Sequence, residues 1–526
     1  MTPAEIVGQI EQRWHSKPLS DLENLEGDAE IMCEDSVLPE VCGWLFLDLN
    51  LSFAGLIVEE GSTEWKLRYS FYGEGDVGWI HIIAIAPLNQ RSFPSIVKFV
   101  HVADWHEREA EDLFGLHFEG HPRLGDFVLH NDAWQERVEP MRHGFDAQRA
   151  MLHRAPDTDW RPQRVLHEPG AFVMPIGPKY SGVTESVHFL LETVGEDVTR
   201  SLPRLFYKWR AIEKLAEGKS MDQVLPLAER FAATTAFAHG LAFCLAVESI
   251  ARVQIPARAQ TLRVFLSELE RLRQHAGAIQ EICESTALVV ANSQAGILEE
   301  DLLRISGELT GHRYLFGLLA PGGLLCDLSN DVCRNALNRS RLVRDDLNEL
   351  ETRLRTSSSF LDRLEEVGAI SLREARIFGL LGPVARASGL VRDLRKIRPY
   401  CGYEAFEFDI PREREGDGYA RLRILFAEAR QSVRIMEQAV ELLSDERVFE
   451  PIELRGGEAM GWVEAPRGGA FQWVRLDDAG RVARWRVVPP SFHNWNGLHL
   501  AVEKFAFQDF PIVLSTFDLS VAENDR

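Results

Sequence analysis

Residues Ala259–Cys283 read AQTLRVFLSELERLRQHAGAIQEIC, and the placing of their apolar side chains decides the fold. Leu262, Phe265, Leu269, Leu272, Ala276, Ile279 and Cys283 recur every three or four positions, which on a helix gathers them into one stripe opposite an Arg/Glu face. Such a stripe must be covered, so the segment predicts a core helix. Residues 420–443, ARLRILFAEARQSVRIMEQAVELL, repeat the arrangement through Leu422, Leu425, Ala429, Val433, Met436, Val440 and Leu443, and residues 339–367 do so with more charge. The larger, C-terminal part of the chain therefore reads as mainly helical.

Toward the N-terminus the texture changes. GWLFLDL (43–49), AGLIVE (54–59), WKLRYSFY (65–72) and GWIHIIAIA (78–86) are rich in β-branched and aromatic residues and are separated by Gly, Asn, Ser and Asp, so four strands are expected. An acidic helical segment precedes them, and FPSIVKFVHVADWHEREAEDLFG (93–115) follows with apolar residues at helical spacing. These features give an α+β domain over residues 1–135. Residues 136–170, rich in Arg, Pro, His and Asp without periodicity, read as a linker, and residues 171–526 as the helical domain. GWVEAPRGGAFQWVRL and RVARWRVVPP predict a few strands near the end, so the fold class is α+β with small sheets at the margins of the helical part.

Bulk properties exclude several functions. The 526-residue chain carries a net charge of −22, which repels nucleic acid and anionic lipid at long range. Its seven cysteines, scattered between positions 33 and 401 without a Cys-x-x-Cys pair, make no zinc ribbon, iron–sulfur motif or disulfide framework. No uninterrupted apolar run of the roughly 18 to 20 residues needed to cross a bilayer is read, and residues 1–20 lack the apolar core of a signal peptide. A cytoplasmic chain that reaches a membrane only through protein partners is expected. Phosphate-binding glycine loops in a strand–turn–helix setting are not found.

DWHEREAEDLFGLHFEGHP (104–122) resembles the signature of the 30-kilodalton, C-type component of complex I. IGPKYSGVTESVHFLLE (176–192), FYKWRAIEKLAEG (206–218), AVESIARVQIPARAQTLRV (246–264), ARASGLVRDLRKIRPYCGYEAFEFDIP (385–411) and VEAPRGG (463–469) resemble, in family order, the 49-kilodalton, D-type component and equally the large subunit of formate hydrogenlyase and energy-converting nickel–iron hydrogenases. The resemblance implies a fused C/D-like subunit of a membrane oxidoreductase. Its implied partners are a 4Fe–4S small subunit of the complex I B type, a ferredoxin-like subunit and antiporter-like subunits of a membrane arm, with attachment to the inner face of the cell membrane.

Hydrogenase large subunits hold nickel and iron with two Cys-x-x-Cys pairs, because soft thiolates suit those metals. In ERFAATTAFAH (229–239) and FDLSVAENDR (517–526) the four positions fall on Ala232, Thr235, Ser520 and Glu523. A methyl, two hydroxyls and a carboxylate do not replace four thiolates, so no metal site and no nickel-dependent maturation are expected. The complex I positions that hold a quinone head group fall on Thr184 and Ala233, neither of which carries the usual ring donor. No cofactor is therefore assigned to this chain. Three residues matching the family's cavity remain as candidates for a proton path: Glu185, Arg386 and Asp518. For Arg386 and Asp518 a structural ion pair is the simpler role, and for Glu185 a solvated loop carboxylate; His239 reads as a packed support. The acidic cluster Glu107, Glu109, Glu111 and Asp112 reads as a solvated or subunit-facing surface, with Trp105, Phe114 and His121 fastening the first domain to its assembly. Two functions compete: a subunit that couples electron transfer to ion translocation, and a noncatalytic scaffold joining the iron–sulfur subunit to the membrane arm.

Overall fold

The computed structural model describes the chain except residues 16, 19–27, 135–137, 153–156, 162–163, 168, 179–184 and 504. Helix α1 (Pro3–Trp14) starts on a capping box between Thr2 and Glu5 and buries Ile6, Val7 and Ile10. It packs on strand β1 (Asp28–Met32). Strands β2 (Ser52–Glu60), β3 (Glu64–Tyr72) and β4 (Trp79–Pro87) form an antiparallel meander, and β1 adds parallel to β4, with Lys17–Pro18 at the outer edge. The central strand β4 is buried on both faces and reads WIHIIAIAP, a nearly continuous apolar run, whereas its neighbour β3 alternates apolar residues with Lys66, Arg68 and Ser70. Helix α2 (Asp104–Phe114) ends at Gly115, φ 71°, a left-handed stop that favours glycine.

Two expectations change here. GWLFLDL is not a strand: Leu38–Gly43 is an α-helix that runs on into a wider helical turn at Trp44–Asp48. A short continuous apolar run carries no period to separate strand from buried helix, and here Trp44, Leu45 and Phe46 face the core while Leu47 is exposed. The helix expected over residues 93–115 begins only at Asp104, because Ser92–Pro94 pairs in parallel with His117–Glu119.

The second part opens with an antiparallel sheet of β5 (Ala171–Ile176), β6 (His188–Val194) and β7 (Asp197–Arg204). Helices α3 (Ala236–Ala251), α4 (Ala257–Ser285), α5 (Val289–Thr310), α6 (Asn330–Leu354), α7 (Gly382–Ala387) and α8 (Gly418–Leu442) follow. α4 runs through the middle, flanked by α5 and α8, with α6 spanning those two. A meander of β8 (Gly457–Ala465), β9 (Gly468–Leu476) and β10 (Val482–Val488) lies against α3 so closely that a Cβ on Gly461 would meet the Ala242 carbonyl at 2.0 Å. Helices α9 (Pro490–Val502), α10 (Phe510–Phe517) and α11 (Val521–Asn524) bring the last residues back inside, where Glu523 to Arg526 are buried.

Residues 233–251 are long and apolar enough to cross a membrane, contrary to the expectation that no such run exists, and 78% of that stretch is buried within this fold. Its many alanines and its buried His239 and Glu248 mark it as a core helix. The two parts of the chain share one hydrophobic core: Trp79 packs on Trp462 at 5.3 Å, Tyr72 on Phe471 at 5.3 Å and Trp105 on Phe492 at 5.7 Å.

Candidate functional site

Three of the four positions that the resemblance assigns to hydrogenase thiolates, Thr235, Ser520 and Glu523, come together in the fold. Ala232 leads into a 3₁₀ turn, Ala233–Thr235, at the start of α3, and Ser520 caps α11 by accepting from the Glu523 N–H at 3.1 Å. Thr235 Oγ1 donates to Glu523 Oε1 at 3.1 Å and the Ser491 N–H to Oε2 at 3.1 Å. Arg467 Nη1 and His239 Nε2 each stand 3.5 Å from Oε1, as charge contacts rather than close hydrogen bonds. Arg210 staples the two segments together, donating to the carbonyls of Phe231 (2.9 Å), Ala522 (2.6 Å) and Asp525 (3.1 Å).

Burial works to raise the pKa of Glu523, but His239, Arg467 and the Ser491 N–H outweigh it and hold the carboxyl down at about 2. It is a permanent anion with its lone pairs engaged inside the chain. A methyl, two hydroxyls and this carboxylate do not fit nickel and iron, and no step through such a centre follows. Two of the cysteines that would rescue a thiolate site, Cys244 and Cys401, gather instead round the Arg263–Glu248 ion pair. At the quinone position, Ala233 offers an exposed methyl and no side-chain donor, while Thr184 lies outside the described residues. No step through a quinone is derived either.

Asp518 adjoins this clasp. It caps α10 in the left-handed region, φ 48°, accepts from Gln274 Nε2 at 2.8 and 2.9 Å, and pairs with Arg467 at 3.1 Å. Arg386 belongs to a different, fully enclosed cluster. Its Nε meets Glu428 at 2.6 Å and its Nη1 meets Glu464 at 2.9 Å and Asp393 at 3.5 Å. The cluster extends from His275 on Glu428 (2.9 Å) to Arg395, which joins Asp393 (2.7 Å) to Glu268 (2.9 Å), and Glu268 also holds Arg271, Tyr403 and Ser432. Consecutive residues of α4 link the two groups, since Gln274 faces Asp518 and His275 faces Glu428. Glu185 sits apart, about one-third exposed and 3.7 Å from Lys208.

Sequence reasoning placed the Arg/Glu side of α4 opposite an apolar stripe, and that polar side turns out to be interior. Glu268, Arg271, Gln274 and His275 are all buried, because α8 opposes them with Glu428 and Ser432. The acidic cluster on α2 is likewise not a solvated surface. Glu107 accepts from Ser95 Oγ and the Ile96 N–H, and burial pushes its pKa up to about 8. Glu109 pairs with Arg486 at 2.6 Å and Arg526 at 2.8 Å, and those arginines also reach Glu213 at 3.3 and 3.4 Å. Trp105 and Phe114 fasten the first part to the second within this chain, through Phe492 and Arg484, while His121 pairs with Asp104 at 3.1 Å. The signal available in the sequence was the regular matching of carboxylates by arginines in distant segments, which no periodicity reports.

Residues 31–150 match the family profile described as respiratory-chain NADH dehydrogenase, 30 Kd subunit, and residues 297–452 and 446–526 that of the 49 Kd subunit. The second D-type chain of the NADH-quinone oxidoreductase of Solibacter usitatus (strain Ellin6076) is 32% identical over 358 residues, covering 67% of this chain and 97% of the relative. The chain belongs to the complex I 49-kilodalton subunit family. A 30-kilodalton-type domain is fused ahead of it, as in the C/D-type chain of the NADH-quinone oxidoreductase of Bdellovibrio bacteriovorus (strain ATCC 15356 / DSM 50701 / NCIMB 9529 / HD100), 29% identical over 462 residues with 81% of each chain covered. Formate hydrogenlyase subunit 5 of Escherichia coli (strain K12) is 29% identical over 506 residues, covering 93% of this chain and 87% of the relative. This complex I C/D-like chain is thus a subunit of the NADH-quinone oxidoreductase or hydrogenase type.

Proposed function

We propose that this chain is a peripheral-arm subunit that packs on a 4Fe–4S small subunit at the inner face of the cell membrane and couples the arrival of electrons there to ion translocation by membrane-arm subunits. The observation that carries the reading is the charge balance of the enclosed cluster: four carboxylates, Glu268, Asp393, Glu428 and Glu464, face three guanidiniums, Arg271, Arg386 and Arg395. One carboxylate in excess in a dry interior favours a held proton. Burial, helped by the neighbouring Asp393, pushes Glu464 up to about 7, against the pull of Arg386 and Arg271. A negative charge arriving nearby on a partner shifts that proton's equilibrium, and its movement is the coupling. The names of the relatives, subunits of quinone oxidoreductase and hydrogenase assemblies, support the setting. Antiporter-like and ferredoxin-like partners belong to the same proposal.

The test is transport by the purified complex in vesicles, driven by reduced ferredoxin or by NADH with a quinone. Wild type moves ions, and Glu464→Gln passes electrons with fewer ions moved per electron. Absence of redox-driven transport with every such couple ends the reading. A second reading, a noncatalytic scaffold between the iron–sulfur subunit and the membrane arm, is favoured by Glu523, a carboxylate at a position assigned to a thiolate and held by Thr235, Ser491, Arg467 and His239. In that case Glu464→Gln leaves transport unchanged and only loss of the chain disperses the complex. Stoichiometric nickel in the purified chain would overturn both.

A further inference from the structure

A cavity of about 450 Å³ lies where α2 and the segment after it meet β7, α9 and Phe378, and one of its lining residues, Trp495, donates to the Ser520 carbonyl at 3.2 Å. That size falls within the range of small-molecule sites, roughly 300–1,000 Å³. Its apolar wall is made of Trp105, Phe127, Phe378 and Trp495. Two arginines on it stand out because the other charges there are engaged. Arg200 pairs with Glu192 (2.9 Å), and Arg204 with Asp126 (2.8 Å) and Asp132 (2.7 Å). Asp104 is held by His121, and Glu503, the remaining carboxylate of the lining, accepts from the Ser201 N–H at 3.3 Å.

Among the described residues, Arg108 and Arg123 have no ion-pair partner. Arg108 is 6% exposed, donates only to the Gly125 carbonyl at 3.3 Å, and has a buried Nε with no partner. Burial and the repulsion of Arg123 bring it down to about 10, against the pull of Asp104, Asp112 and Asp126, none of which forms an ion pair with it. Arg123 reaches the cavity from its exposed rim. Asn496, 8% exposed, lines the same space with an unpartnered Nδ2 donor. Buried donors such as Arg108 Nε and Asn496 Nδ2 are normally satisfied, and two guanidiniums without an ion pair leave forks free for an anion. Two forks with a separate amide suit a tetrahedral dianion with three free oxygens better than a planar carboxylate, which one fork saturates.

We propose that this interdomain cavity binds a phosphomonoester, with the phosphate between Arg108 and Arg123, Asn496 donating to a third oxygen, and the ester's apolar body against Trp105 and Phe127. The phosphate can belong to a soluble metabolite or to a short lipid headgroup, and both would use the same contacts. The test is calorimetric titration of the full chain with adenosine 5′-monophosphate, dihexanoyl phosphatidic acid, adenosine and inorganic phosphate. One of the first two binds at least tenfold more tightly than adenosine and than inorganic phosphate, and the tighter of them names the source. Arg123→Gln, at the exposed rim, weakens that binding at least tenfold without changing the melting temperature; Arg108→Lys, which keeps a charge but loses the fork, weakens it as well. Inorganic phosphate binding as tightly as either ester, affinity unchanged in Arg123→Gln, or no binding at millimolar concentration would each overturn the proposal.

Discussion

Thr235 and Glu523 stand 288 positions apart in the chain and are joined by a 3.1 Å hydrogen bond at a point where neither side chain reaches solvent. The bond closes the C-terminal segment onto the start of α3, in the place where four thiolates would meet in a hydrogenase. Glu523→Ala removes the anion and leaves Arg467 and His239 facing a dry void. Breaking a buried pair in this way is expected to cost about 3 to 5 kcal/mol, whereas Thr235→Val, which removes one donor, costs about 1 kcal/mol. Urea unfolding of the two variants checks the ratio. A loss below that of Thr235→Val for Glu523→Ala would mean that the clasp does not hold the C-terminus.

Acid should unfold the protein through the same kind of group. Burial raises the pKa of Glu428, but Arg386 and His275 overcome it and bring it down to about 2, as His239 and Arg467 do for Glu523. Both carboxyls titrate near 4.5 in the unfolded chain, so the unfolded state binds more protons between about pH 5 and pH 2. Their stabilisation is complete above pH 5 and falls away as pH drops through that window, with an upper bound of about 3 kcal/mol for each group. In Glu428→Gln the fall in unfolding free energy between pH 6 and pH 3 should be shallower by up to one proton. Circular dichroism at fixed urea measures it, and a slope equal to wild type would show that Glu428 does not drive the acid transition.

Glu109 and Arg526 make a second clasp, between α2 of the first part and the end of the second, at 2.8 and 3.1 Å. Glu109→Ala leaves Arg486 and Arg526 with Glu213 as their remaining carboxylate, and a loss of about 3 kcal/mol or more is expected. Because the cluster spans the joint, residues 136–170 should become sensitive to limited proteolysis in this variant before the helical part unfolds. Cleavage no faster than in wild type would show that the shared hydrophobic core alone holds the joint.

The helices α4 and α8 and the strands β2 to β4 were legible because burial on one face or on both leaves a period or a continuous run in the sequence. Gly43–Leu49 was not, since a short, largely apolar run serves a buried helix as well as a strand. At the site, the convergence of Thr235, Ser520 and Glu523 was implied by the resemblance to hydrogenase large subunits, which assigns ligand positions to them. The enclosed clusters were not, because a buried Glu reads in sequence like a solvated one until its arginine arrives from a remote segment, as Arg386 does for Glu428 and Arg526 for Glu109. Charge compensation inside a fold is a pairing between distant positions, and a single sequence records only its members.

Glu185 offers the sharpest separation between structure and function. It pairs with Lys208 across 3.7 Å, with about one-third of its side chain and half of that of Lys208 exposed to water. Solvent screens such a pair, and its worth is about 0 to 1 kcal/mol. Glu185→Gln should therefore leave the urea midpoint unchanged within error. The carboxylate also lies near enough to Asp525 to help raise it to about 7, though burial is the larger cause and Arg210 opposes it. A proton path from solvent would need a way in, and a wet carboxylate beside a buried one with a raised pKa is the arrangement to test for it. If protons pass there, Glu185→Gln slows redox-driven ion uptake by the vesicle-bound complex severalfold at unchanged stability. Uptake equal to wild type would assign Glu185 to the solvated surface and leave Glu464, deeper in, as the group to pursue.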